Sequence, residues 1–97
     1  MEERNTKEES RIAALSIIVE DGERTEELNH IIHEYADYIV GRMGIPYRQK
    51  GISIISLVMD APQDVISTFS GRIGRIQGIT AKAAYAKLPA RHEIRKG

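Results

Sequence analysis

His30 and His33, three residues apart, with Glu34 adjacent and Asp37 one turn on, are the first residues of the chain whose types suggest chemistry. On a helix this spacing puts both imidazoles on one face, where a pair can grip a divalent cation if a second copy completes the ligand set. An ordinary solvated helix face looks the same, so no bound metal is expected. A second group is Gly41, Arg42, Gly44, Tyr47 and Arg48. Glycine permits close approach and arginine holds anions bidentately, so this segment could receive a phosphate or carboxylate. Its structural alternative is a bulge or a subunit contact, the usual reasons for glycine in a strand. Arg72 and Arg75, beside Gly71 and Gly74, pose the same choice, but Gly-Arg-Ile-Gly lacks the spacing of a phosphate-binding loop.

Nucleophile chemistry finds little to work with. Ser16, Ser53, Ser56, Ser67 and Ser70 have no histidine or acid in a recognisable arrangement, and no paired-carboxylate or metal-hydrolase motif occurs. The chain has no cysteine, which removes disulfides, thiolate metal sites, iron-sulfur ligation and thiol nucleophiles together. A non-catalytic protein without a cofactor is expected.

The elements that would position these residues can be read from hydrophobic pattern and turn chemistry. Residues 1–10 are polar and acidic and predict a disordered tail. Ile12–Val19 is almost continuously apolar and stops at Asp21-Gly22, which predicts a strand buried on both faces. Thr25 can cap a helix whose first turn is favoured by Glu23, Glu26 and Glu27. Leu28, Ile31, Ile32, Tyr35 and Ile39 recur at helical spacing, so this helix is expected to run to about residues 37–40. Gly41, Gly44 and Pro46 then argue for a short, glycine-interrupted strand leading into a loop. A turn at Lys50-Gly51 precedes a strand over Ile52–Met59, with Ile55, Leu57 and Met59 on one face and Ile52, Ile54 and Val58 on the other. Asp60-Ala61-Pro62 reads as a helix start, with aspartate as cap and proline in the first turn. Val65, Ile66, Phe69 and Ile73 form the buried face of that helix, which the glycines at 71, 74 and 78 loosen and end. A last strand is expected over Ile79–Ala86, and residues 88–97, including His92, read as a polar tail.

The order strand, helix, strand, strand, helix, strand predicts an α+β, ferredoxin-like βαββαβ domain over residues 11–87, its antiparallel sheet carrying both helices on one face. Two helices leave the other face bare. Ile12, Ala14 and Ile18 of the first strand and Ile52, Ile54 and Val58 of the third then form an apolar surface that a second copy should cover. As an estimate, several hundred Å² per subunit at about 25 cal/mol/Å² favours this association, so a homo-oligomer built from dimers, with a tetramer as a further step, is expected.

Charge bears on the partner. The chain is neutral, with 14 bases and 14 acids, but its signs are separated. Residues 1–37 carry eleven acids against four bases, and residues 38–97 ten bases against three acids. A basic face assembled from Arg42, Arg48, Lys50, Arg72, Arg75, Lys82 and Lys87 would make a nucleic-acid binder, whereas scattered bases would not. No apolar run approaches the roughly 20 residues that span a bilayer, and the N-terminus is acidic where a signal peptide is basic. A cytoplasmic location without membrane attachment is expected.

The segments Ala14-Leu-Ser-Ile-Ile-Val-Glu-Asp21, His33-Glu-Tyr-Ala-Asp-Tyr-Ile-Val-Gly-Arg-Met-Gly-Ile-Pro-Tyr-Arg48 and Gly51-Ile-Ser-Ile-Ile-Ser56 resemble the iron-only hydrogenase system regulator family. Asp60-Ala-Pro-Gln-Asp-Val-Ile-Ser67 and Ser70-Gly-Arg-Ile-Gly-Arg-Ile-Gln-Gly-Ile79 extend the resemblance to roughly residues 11–87, and Gly41-Arg-Met-Gly-Ile-Pro-Tyr47 is its most specific part. The resemblance implies a small stand-alone regulatory domain, similar in fold to ACT domains and to the C-terminal half of the nickel-responsive repressor. By that analogy Asp21 and Gly22 sit where ACT-type domains bind an effector between subunits, although a tight turn explains the same two residues. The stretch matching the repressor's metal site carries Met43, Ile45, Pro46, Tyr47, Arg48 and Gly51, which are not nickel ligands. A ten-residue leader is also too short for that repressor's DNA-binding segment. The expected function is a regulatory or ligand-sensing oligomer linked to hydrogenase metabolism, taking a small-molecule effector or a protein partner. Its rivals are a nucleic-acid-binding regulator and a ligand-free scaffold.

Overall fold

A computed structural model describes residues 10–87. The tail expectations for residues 1–9 and 88–97, His92 among them, lie outside the described residues. Four strands, β1 (Arg11–Val19), β2 (Ile39–Tyr47), β3 (Ile52–Ala61) and β4 (Ile79–Tyr85), form one antiparallel sheet in the order β2-β3-β1-β4. Helices α1 (Thr25–Glu34) and α2 (Gln63–Gly74) lie on one face. This is the ferredoxin-like α+β fold that the order of elements predicts.

The core follows from alternation along the strands. Ala13, Leu15, Ile17 and Val19 of β1 and Ile55, Leu57, Met59 and Ala61 of β3 point to the helices and are buried with Leu28, Ile31, Ile32, Ile66, Phe69 and Ile73. Period 2 in the strands thus meets period 3.6 in the helices across a single apolar layer. Arg11 secures one end of that layer. Its guanidinium donates to Gln63 Oε1 at 2.7 Å and to the Ala86 carbonyl at 3.0 Å, and lies 5.1 Å from the centre of the Tyr85 ring.

Boundaries differ from expectation in four places, each for a local reason. The first helix stops at Glu34, and a 3-10 turn over Ala36–Tyr38 delivers Ile39 to the sheet, so Ile39 continues the apolar stripe from a strand. Thr25 is the first helical residue and not the cap. Asp21 does the capping one turn earlier, its Oδ1 accepting from the Glu23 N–H at 3.0 Å. Asp60 and Ala61 belong to β3, and Pro62 alone leads into α2 without a side-chain cap. The second strand is neither short nor broken. It runs nine residues to Tyr47, absorbing Val40 as a bulge where the register shifts between Ile39 and Gly41.

Candidate functional site

Two surfaces hold most of the residues singled out by sequence, and the register of β2 decides which goes where. On the helix side, Arg42 pairs across to Leu57 and Gly44 to Ile55. On the open side, Gly41 pairs with Val58, Met43 with Ser56, Ile45 with Ile54, and Tyr47 with Ile52. The segment from Gly41 to Arg48 is therefore divided between two faces. Arg42 and Tyr47 point in opposite directions, and Arg48 follows in the 3-10 turn Arg48–Lys50 that closes at Gly51 with φ of 68°.

The helix side of β2 forms a groove against α1 of about 350 Å³, lined by Asn29, Ile32, His33, Ala36, Ile39 and Arg42. Asn29 Oδ1 accepts from Arg42 Nη2 at 3.4 Å across its mouth. The 3-10 turn Ala36–Tyr38 carries the chain from α1 to the edge strand, so that the end of the helix, the turn and β2 all contribute to the lining. His33 thus joins Arg42, whereas His30 lies outside the groove lining, 3.6 Å from Glu34. Among the described residues no cluster of three or more His, Cys, Asp or Glu is spaced to hold a metal ion.

Glu34 is taken up by α2. Arg72 Nη1 lies 2.6 Å from Glu34 Oε1 and 3.4 Å from the Tyr35 hydroxyl, with the guanidinium 5.7 Å from the Tyr35 ring centre. The Arg72 hydrogen bond holds the Glu34 carboxyl below its ordinary pKa, while the hydrogen bonds to Tyr35 and Glu34 raise that of Arg72. Arg72 is thereby a clamp between the helices. Arg75 lines a neighbouring surface hollow with Glu27, Ile31, Arg72 and Ile76, where acid and base face one another. Asp21 is engaged in its turn, 3.8 Å from Arg24 Nε as well as capping Glu23, and lies at the β1 end next to Gly78, two strands from β2.

The open face of the sheet can be read in rows across the strands β2, β3, β1 and β4. One row is Gly41, Val58, Ala14 and Ala84; the next Met43, Ser56, Ser16 and Lys82; the next Ile45, Ile54, Ile18 and Thr80. Two mostly apolar rows thus flank a central pair of serines. Ile12, Ala14, Ile18, Ile52, Ile54 and Val58 all lie on this face, as alternation predicts, but the most exposed large side chains belong to β2. Met43 is 59% exposed, Ile45 50% and Tyr47 44%. Sequence reading set Tyr47 with a possible anion site and left Met43 and Ile45 off the apolar face, because it took β2 for a short, glycine-interrupted strand leading into a loop. The one usable signal was the period-2 spacing of Met43, Ile45 and Tyr47.

The seven bases considered for nucleic acid do not share a face. Lys82 is on the open side, Arg42 in the groove, Arg72 on Glu34, and Arg48 and Lys50 in the hairpin turn. No described helix is long and apolar enough to cross a membrane.

Comparison with known proteins agrees with this architecture. Residues 11–83 match the TM1266-like family model, described as "Iron-only hydrogenase system regulator, putative". The chain is also similar to the solved structure of the uncharacterized protein TM1266 from Thermotoga maritima, at 31% identity and a TM-score of 0.78, over 81% of this chain and 100% of that one. No curated protein matches.

Proposed function

This chain belongs to the TM1266-like, iron-only hydrogenase system regulator family, and on that premise we propose a non-catalytic regulatory module that works as an assembly of its own copies. The copies join through the open sheet face, and the groove between α1 and β2 is left to an effector or a protein partner. The observation that carries this reading is the bare apolar face, with Met43, Ile45, Tyr47 and Val58 exposed and no element of the described chain covering them. Contiguous apolar surface of this kind on a small domain is a mark of an interaction site. Its two central serines are small and neutral, so a facing sheet can approach closely. Absence of catalysis is supported by the family's description as a regulator.

Sedimentation equilibrium tests the assembly. The full chain should sediment as a dimer or a multiple of one. Ile54→Lys, placed between Ile45 and Ile18 at the middle of the face, should weaken association about 100-fold while leaving the far-ultraviolet circular dichroism unchanged. A concentration-independent wild-type monomer would defeat the reading. The link to the hydrogenase system is tested in cells: deleting the gene should change hydrogenase activity, and Ile54→Lys should fail to restore it.

A further inference from the structure

The groove between α1 and β2 has a chemical character of its own. Ile32, Ala36 and Ile39 make its apolar walls, and Arg42 is the one residue of its lining with a fixed charge. Among the described residues Arg42 has no carboxylate partner; its contact is the neutral Asn29 amide, at the long limit of a hydrogen bond. This is notable because α1 is rich in acids. Glu34 is bound to Arg72, and Glu27 lines the hollow on the α2 side, 3.8 Å from Arg24. The helix therefore turns two of its carboxylates away from Arg42. A planar fork with open donors beside an apolar wall matches a carboxylate joined to an apolar body.

Size narrows the class further. At about 350 Å³ the groove is at the small end of ligand sites, which run roughly 300–1,000 Å³, so it suits a small molecule. A phosphate ester is better served by a second permanent cation, and beside Arg42 the lining offers only His33, with neither Arg48 nor Lys50 in it.

We propose that this groove is an effector site for a small carboxylate with an apolar body, its carboxylate on Arg42 and Asn29 and its apolar part against Ile32, Ala36 and Ile39. The proposal rests on the effector reading above and names the ligand class.

The test is amide chemical-shift mapping on the full chain with isocaproate, isocaproamide, acetate, inorganic phosphate and isoamylamine as probes. Isocaproate should shift the amides of the groove, with isocaproamide and acetate each at least tenfold weaker. Arg42→Gln should weaken isocaproate binding at least tenfold, Arg42→Lys less, and Ala36→Leu should fill the groove and abolish it. Equal binding of acid and amide, an unchanged Arg42→Gln, or no shift at millimolar isocaproate would overturn the proposal. If phosphate or the amine shifts the groove instead, the ligand class falls and the effector reading stands. Silence from every probe removes both, while sedimentation reports separately on assembly.

Discussion

Gly78 joins the last strand to the first. Its φ is 82°, its carbonyl accepts from the Glu20 N–H at 2.7 Å, and an added Cβ would lie 2.5 Å from the Asp21 Cβ. Gly78→Ala therefore meets both a disfavoured backbone and a clash, and should lower stability by about 2–3 kcal/mol in urea unfolding. Glu34 makes a pH prediction. Its carboxyl is held below the ordinary value by Arg72, so in the acidic range the unfolded chain binds more protons than the native one. The contribution is present above the unfolded pKa and is lost as pH falls through the lowered folded one. Glu34→Gln should accordingly flatten the acid limb of stability against pH, measured by urea melts across that range. Neither pairing was legible in the sequence: Gly78 and Asp21, like Glu34 and Arg72, are distant in the chain and meet only through folding. What was legible was chemical type, arginine for anions and glycine for unusual backbone.

At the scale of elements, β2 is the informative one. Its glycines suggested interruption, yet Gly41 and Gly44 have ordinary backbone and open space where a Cβ would go. Gly41→Ala and Gly44→Ala should thus change the stability of the fold by no more than about 0.5 kcal/mol, because strand alanine orders at least as readily as glycine. If Gly41→Ala nevertheless weakens association in sedimentation, close approach of a second sheet is what the glycine serves. α2 behaves as its pattern predicts. Phe69 is fully buried with its ring centre 4.8 Å from that of Tyr35, and Phe69→Ala should cost about 3–5 kcal/mol, read as a fall in the urea midpoint. The contrast has a physical cause: a helix or strand covered by the core writes its period into the sequence, whereas an edge strand exposed on both sides has little apolar signature to read.

For the whole molecule, the separation of charge along the chain does not become a separation of faces. The basic half supplies a groove residue, a helix clamp and a sheet-face lysine in different places. Binding to duplex DNA should accordingly be weak even at low salt in a mobility-shift titration, with a shallow salt dependence. The amino-acid sequence by itself determined the order of the elements, the ferredoxin-like sheet, the buried faces of β3 and of the two helices, and the existence of a second apolar sheet face, since each follows from local period and turn chemistry. Only the tertiary structure decided that β2 is a full edge strand, that its register sends Arg42 to a groove with His33 and Tyr47 to the open face, and that Arg72 is spent on Glu34. Those outcomes depend on one bulge at Val40 and on contacts between residues far apart in the chain, which no local pattern encodes.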